Sequence, residues 1–493
     1  MSHFTKKPIS MLRAQAAEEG AHTLRRGLGS LELTTLGVGA VIGAGIFVLT
    51  GHAAHDLAGP AIVISFVIAG GVCLFAALCY AELASMIPVS GSAYTYAFAT
   101  LGQLFAWIIA WDLMVEYLFA AGTVAVGWSG YFTGLMSDLG VEIPKIWSAA
   151  PFAGETWGAL HATGAILNLP AMAIIALTAF VLILGVTESA AFNTVVVLIK
   201  LGVVVLVIAF GFFHVDPANW TPFIPDEVAG DAGTTKFGVP GIVHAAGVIF
   251  FAYIGFEVIS TAAQEARNPE RTMPVSILGA LVVCTVLYVL MCLVITGVVK
   301  YTDPGLGLPR PIYTVVQAMG PGLEWLKFTV TIGATIGLAS TILALLYGQS
   351  RIFYAMGRDG LLPPIFCAVH SRRRTPWFGT LITALFAGLM AGLFPVGLLG
   401  ELVSVGTLLA FAMICAGVIY LRVKEPQLPR AFRVPVFWLV APLGIASCLY
   451  LIAGLPSDTF VRLVVWMAIG LAVYFGYAQF HSRMRASQGA AAE

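Results

Sequence analysis

Charge is scarce in this sequence. Asp, Glu, Lys and Arg make up 10% of its 493 residues, where a water-soluble globular chain carries about 25%. Apolar residues take their place at 59%, and the mean hydropathy is +0.93. No soluble fold can hide that much apolar surface, so a soluble globular protein is excluded. An excess of one sign is also missing: 25 basic residues balance 25 acidic ones. With the basic residues scattered, neither a nucleic-acid partner nor a highly charged substrate is indicated. Cysteine occurs without pattern. Cys73, Cys79, Cys284, Cys292, Cys415 and Cys448 lie inside apolar stretches, with no metal or redox spacing, and read as small buried hydrophobes. The chain lacks an HExxH run, a Ser and His pairing at membrane depth and a metal cluster, which argues against an enzyme embedded in a membrane. Histidines such as His244 stand alone and read as polar glue or pocket lining. Finally, residues 1–30 are polar and charged, with Lys6, Lys7, Arg25 and Arg26, and have no apolar core of a cleavable signal peptide. The first apolar helix is expected to serve as its own targeting signal.

What is abundant is the long apolar run. A spanning helix needs about twenty such residues, because the hydrocarbon core is about 30 Å thick and each residue rises about 1.5 Å. Twelve stretches qualify, near 33–50, 62–86, 101–135, 170–186, 194–213, 240–263, 275–299, 325–347, 380–395, 399–421, 438–455 and 460–480. With both termini inside, eighteen Lys and Arg fall on the cytoplasmic side, six on the other, and Lys200 within a span. The cytoplasmic set holds the run Arg372 to Arg374 and the group Arg422, Lys424, Arg430 and Arg433. Short basic loops stay in the cytoplasm, so both termini are expected there. The organisation expected is a cytoplasmic segment 1–30, one twelve-helix unit 31–480 and a cytoplasmic tail 481–493. No loop is long enough for a soluble domain, so any function must lie among the helices.

Two of the spans are built to break. The first reads Gly37-Val-Gly-Ala-Val-Ile-Gly-Ala-Gly45, four glycines in nine residues, and each glycine costs about 1 kcal/mol of helix propensity relative to alanine. Gly39 and Gly43 also form a GxxxG pair, so close helix packing is the alternative reading. The sixth span, Phe250-Phe-Ala-Tyr-Ile-Gly-Phe-Glu257, places a glycine and a carboxylate at membrane depth. Interrupted helices at corresponding positions of two repeats are the best sequence pointer to a transporter's binding site, and spans one and six are five apart. An amino acid supplies both partners that unwound backbone lacks. Its carboxylate can accept from N–H groups near Gly43, Ala44 and Gly45, and its ammonium can donate to carbonyls near Phe251, Ala252 and Ile254.

Charges within the membrane each need a reason. Lys200 has no Asp or Glu within a helical turn or two; a lysine shielded from water is suited to proton exchange, and the alternative is snorkelling to an interface. Glu116 and Glu257 are its acidic counterparts. Glu116 reads either as pocket lining or as a structural hydrogen-bonding group, and Glu257 either as a gate and proton relay or as a helix cap. Asp112 and Glu82, nearer helix ends, are expected to be solvated at the interface.

With these residues in view, the chain resembles the amino acid, polyamine and organocation transporter superfamily, and within it the bacterial relatives of the cationic amino acid transporters. The matching segments are Gly37 to Phe47, the Pro88-Val-Ser-Gly-Ser-Ala-Tyr94 loop, Phe250 to Glu257, Asn268 to Pro274, Gly348 to Tyr354 with Arg358 to Pro363, and Arg430 to Pro435. The resemblance implies an all-α integral membrane protein of the LeuT type, with inverted repeats near 33–213 and 240–421 and two further helices near 438–480. It implies a substrate held by the unwound parts of helices one and six, here Val41, Gly43, Ala44, Gly45, Phe251, Ala252, Ile254 and Gly255. It also implies that Lys200 stands where sodium-coupled relatives hold a cation. One departure is Ala44, where relatives often carry Ser or Thr, so a side-chain hydroxyl for the carboxylate is missing.

The function expected is proton-coupled uptake of small or medium neutral L-amino acids across the bacterial inner membrane by alternating access, with Phe251 as a gate and no cofactor beyond the proton. Leu345, in the bulky apolar stretch 342–346, is expected to narrow the side-chain space, while Glu116 leaves a cationic substrate open. Exchange of amino acids, with Lys200 a permanent structural cation, and transport of cationic amino acids or polyamines are the alternatives. A sensor or channel-like protein that binds ligand without net flux is a further class. The partners expected are the substrate and membrane lipid, with no metal and no nucleic acid; the sequence leaves a small accessory membrane peptide unknown.

Overall fold

The computed structural model describes residues 6–12, 28–87, 89, 92–154, 160–184, 190–229, 235–263, 266–369, 375–455 and 457–482. Pro88, Ser90 and Gly91 of the quoted loop, the run Arg372 to Arg374, part of the N-terminal segment and nearly all of the tail lie outside them. Helices dominate. We number the principal ones α1 (Ser30–Val41), α2 (Ile62–Met86), α3 (Gln103–Asp138), α4 (Leu169–Leu184), α5 (Ala190–Phe212), α6 (Gly238–Ile249), α7 (Pro269–Val298), α8 (Glu324–Arg358), α9 (Trp377–Leu393), α10 (Val396–Lys424), α11 (Phe437–Ala453) and α12 (Ser457–Val473). Among the described residues, eight helical runs are long and apolar enough to cross a membrane, and Ser30–Val41, Leu169–Leu184, Trp377–Leu393 and Phe437–Ala453 are shorter apolar helices. The two longest expected loops carry small hairpins, Phe152–Ala153 with His161–Ala162 and Val228–Ala229 with Thr235–Lys236.

Large apolar side chains stand exposed around the outside, among them Phe180, Leu198, Val282, Leu385, Tyr450 and Val464. A belt of that kind is unstable in water and suits contact with hydrocarbon. Inside, the helices pack in a pattern that repeats. α3 packs on α8, α2 on α7 and α4 on α9; α1 packs on α7 and α6 on α2; α5 packs on α8 and α10 on α3; α5 packs on α7 and α10 on α2. Exchanging each helix for the one five places along the chain maps this set onto itself. α12 is set apart and docks on α3 through aromatic contacts: Trp111 and Trp466 stack at 4.6 Å, and each indole N–H donates to the other's backbone carbonyl, at 2.9 and 3.1 Å.

One expectation is overturned here. Glu82 and Asp112 are not solvated at an interface but are buried, at 1% and 2% exposure. Glu82 receives the Arg422 guanidinium in a two-pronged pair at 2.9 and 2.7 Å and the Val434 N–H at 2.7 Å. A carboxylate near a helix end can be buried when a neighbouring helix brings a guanidinium to it, here Arg422 from the last turn of α10.

Candidate functional site

α1 stops at Val41 because Ile42 turns into extended backbone at ψ 92°. The chain re-enters helix at Gly45–Leu49 with wide turns and continues to Ala58. α6 stops at Ile249 and passes through a tight turn, Phe250–Tyr253; Ile254 is extended, with ψ 133°. Gly255 then has φ +123°, a conformation that suits glycine, before the single turn Val258–Thr261. Both breaks fall on the stretches the glycines mark.

The breaks touch. A Cβ on Gly45 would lie 2.4 Å from the Ala252 Cβ and 2.6 Å from its Cα. A Cβ on Gly255 would lie 2.8 Å from the Ala40 carbonyl carbon and 2.9 Å from the Val41 nitrogen. Each break thus presents a glycine to the backbone of the other. Gly43, the second glycine of the GxxxG pair, faces Thr341 of α8, and Gly39 faces Val197 of α5, so close packing and interruption are both present in one segment.

Between the breaks lies a narrow cavity. Its walls are Ala40, Val41, Gly43, Ala44 and Gly45 from the first break, Phe251 and Ile254 from the second, Ala120 and Val124 from α3, and Thr341 and Leu345 from α8. None of these described lining residues carries a charge. Of the residues singled out in the sequence, Val41, Gly43, Ala44, Gly45, Phe251, Ile254 and Leu345 reach this cavity. Ala252 backs onto Gly45, and Gly255 onto Ala40 and Val41. Glu116 sits one helical turn before Ala120 on α3 and is 1% exposed. Ala40, Ala120, Val124 and Thr341 were not foreseen. Their signal was present in the spacing: Ala120 and Val124 continue the Glu116 face in steps of four, and Thr341 precedes Leu345 by four.

Lys200, on α5, is 1% exposed and does not snorkel. Its ammonium donates to the carbonyls of Gly39 at 2.6 Å, Ile42 at 3.1 Å and Gly337 at 3.3 Å, and to the hydroxyls of Ser340 and Thr341, both at 3.2 Å. These are five neutral oxygens. Two of them belong to the end of α1, whose last carbonyls have no intrahelical donor once the helix stops. Thr341 both meets this ammonium and lines the cavity, so it connects the two. Glu257 serves the other break: its carboxylate accepts the Gly255 N–H at 2.8 Å and the Tyr117 hydroxyl at 3.4 Å. Among the described residues, no group of three or more His, Cys, Asp or Glu is placed to hold a metal ion.

Such an arrangement offers backbone N–H groups at a helix restart, backbone carbonyls at two helix ends, and an apolar wall opposite them. It can hold a small zwitterion by main-chain contacts and its side chain by shape.

Comparison with known sequences bears on this site. A family profile described as amino acid permease matches residues 28–485. The chain is similar to the branched-chain amino acid permease of Bacillus subtilis strain 168, at 44% identity over 483 residues, covering 98% of this chain and 99% of that protein. It is similar to the methylthioribose transporter of the same strain, at 43% identity over 481 residues with the same coverage. It is also similar to the chloroplastic cationic amino acid transporter 9 of Arabidopsis thaliana, at 36% identity over 477 residues, covering 94% of this chain and 79% of that protein.

Proposed function

The chain belongs to the amino acid permease family, whose members are membrane transporters and not enzymes, and from that premise we propose that it carries small or medium neutral L-amino acids into the cell by proton-coupled alternating access. The observation that carries this reading is the cavity between the two breaks, lined by apolar side chains and one threonine. A zwitterion's carboxylate meets the N–H groups of Gly43, Ala44 and Gly45, and its ammonium meets carbonyls of the second break. The side chain then faces Ala120, Val124, Ile254 and Leu345, which suits leucine, isoleucine, valine or alanine. Glu116 lies a turn outside the walls, so a cationic side chain finds no counter-charge at the cavity itself. Phe251, 6% exposed, closes one side as a gate.

In this reading the architecture is twelve spans with two inverted five-helix repeats, supported by the packing pattern that maps onto itself at an interval of five helices. Location in the bacterial inner membrane with both termini cytoplasmic is supported by the eighteen-to-six division of basic residues. Coupling falls to Lys200. As an ammonium it fills the five-oxygen nest and holds the end of α1; on losing its proton it surrenders the charge that makes those contacts strong, and α1 is released. Glu257 acts as the relay at the second break. No cofactor beyond the proton is involved.

The test is reconstitution in liposomes with labelled leucine, alanine, arginine and methylthioribose, with and without an inward proton gradient. Gradient-driven uptake of leucine and alanine, abolished in Lys200→Ala, is expected. Uptake that ignores the gradient and requires internal amino acid would make the chain an exchanger. Uptake of methylthioribose alone would replace the amino acid with a thiosugar, the substrate class named for a relative at 43% identity against 44% for the branched-chain permease. The Leu345→Ser variant is expected to widen the side-chain space and admit longer substrates; if arginine is still refused, the steric role of Leu345 fails.

A further inference from the structure

The two breaks share one polar tether that neither of them supplies. Tyr288, on the unbroken helix α7, is fully buried, and its hydroxyl oxygen lies 2.5 Å from the Ala252 carbonyl oxygen and 3.0 Å from that of Val41. The first carbonyl belongs to the α6 break and the second to the last residue of α1. The phenol is held firmly: its ring meets Tyr253 edge-on at 5.2 Å and Phe66 at 5.1 Å.

A phenol has one proton and each carbonyl oxygen has two lone pairs. One proton serves both carbonyls, the shorter contact to Ala252 taking the larger share, so the Val41 carbonyl is held by the phenol but only partly satisfied. A buried carbonyl in that position gains from any further donor. Geometry also limits what that donor can be. Two oxygens 2.5 and 3.0 Å from one atom are at most 5.5 Å apart. An ammonium nitrogen whose tetrahedral N–H bonds point at two oxygens about 2.8 Å away spans about 4.6 Å. A phenol oxygen directs its proton and lone pairs at similar angles, so its two contacts hold the carbonyls of α1 and α6 at a separation matched to a single ammonium.

We propose that Tyr288 is the positioning residue for the substrate's α-ammonium: it sets the separation of the Val41 and Ala252 carbonyls, and the ammonium bridges them on their remaining lone pairs. It never touches the substrate. Because a primary ammonium closes the link between the breaks, binding locks α1 and α6 into one unit, and a ligand without two N–H donors at that atom leaves them joined by the phenol alone. The inference rests on the reading that an amino acid binds between the breaks.

The experiment is equilibrium binding of leucine to the purified full-length chain by calorimetry, paired with leucine exchange at saturation in liposomes. Tyr288→Phe is expected to raise the Kd about five- to ten-fold, the scale of one lost hydrogen bond, with exchange at saturation within about two-fold of the parent. Tyr253→Phe is the matched control: its hydroxyl donates to the Phe66 carbonyl at 2.9 Å in the same ring cluster but touches neither Val41 nor Ala252, and its Kd is expected to stay within about two-fold. Equal weakening by both variants, or no weakening by Tyr288→Phe, overturns the assignment. Should Tyr288→Phe not fold, the unaltered chain answers with N-methyl-leucine, which keeps two N–H donors, and N,N-dimethyl-leucine, which keeps one. The second is expected to bind at least about ten-fold more weakly than the first, and equal binding overturns the proposal. If the parent binds no amino acid at all, the functional reading fails and this inference with it; if the parent binds and only the Tyr288 effect is missing, the functional reading stands.

Discussion

The breaks in α1 and α6 do the same job with opposite chemistry. The first leaves carbonyls behind at Gly39 and Ile42, and a cation from another helix, Lys200, fills them. The second leaves an N–H at Gly255, and an anion two residues along the same chain, Glu257, takes it. One break is therefore stabilised by tertiary structure and the other largely by its own sequence. A donor brought from α5 can be withdrawn by moving a helix or removing a proton, whereas a carboxylate two residues away travels with the break it caps. On the proposed coupling through Lys200, the first break is the one that loss of a proton would release.

The contact between the breaks sets the largest expected effect. Gly45→Ala forces a methyl into Ala252, a backbone-level overlap costing about 3 kcal/mol or more, so leucine binding should weaken over about 100-fold. Gly71→Ala, where nothing lies within 4 Å, should bind as the parent does; equal damage by both would mean that the breaks do not need to touch. Next comes removal of the cation. Lys200→Ala leaves five oxygens without their donor and should abolish gradient-driven uptake while lowering stability by about 2–3 kcal/mol, read as a fall in melting temperature. An unchanged melting temperature would contradict tertiary capping of the first break.

The second break should be more tolerant. Glu257→Ala leaves the Gly255 N–H unpaired and should weaken leucine binding about ten-fold, while Glu257→Gln keeps an acceptor and should bind within about two-fold. If Gln were as damaging as Ala, charge and not capping would be the role of Glu257 in binding. The smallest effect belongs to the N-terminal segment, far along the chain from either break. Lys7 pairs with Asp359 at 3.1 Å, the side chains 7% and 12% exposed, and Asp359 also accepts the Tyr94 hydroxyl at 2.7 Å. Lys7→Ala should leave leucine binding within about two-fold of the parent while lowering the melting temperature, because removing one partner of a buried pair costs about 3 kcal/mol, and a double-mutant cycle with Asp359→Asn would measure the coupling.

Legibility differed between the same two regions. That helices would break at Gly37 to Gly45 and at Phe250 to Glu257 was readable, because glycine clusters and a mid-span carboxylate are local features of the chain. Seven of the cavity walls followed from those stretches and from Leu345. Glu116 illustrates the limit of the reading: it stands on the helix one turn before Ala120, and a turn is about 5.4 Å, enough to place it beside the cavity and outside its walls. Thr341, Ala120 and Val124 were missed because small or weakly polar residues inside apolar spans resemble packing until the opposite wall is known. Glu82 and Asp112 were misread for the same reason, since burial of a charge depends on which arginine or glycine from another helix comes to lie against it.

The sequence by itself determined that this chain lives in a membrane, where its helices run, which two of them break, and that a lysine is stranded at depth, because each of these depends on composition within about twenty neighbouring residues. Only the tertiary structure decided what reaches the breaks from other helices: that Lys200 meets the end of α1, that Tyr117 meets Glu257, and that Tyr288 stands between Val41 and Ala252. Those are meetings of residues up to 247 positions apart, and the distance between such residues is set by how helices pack.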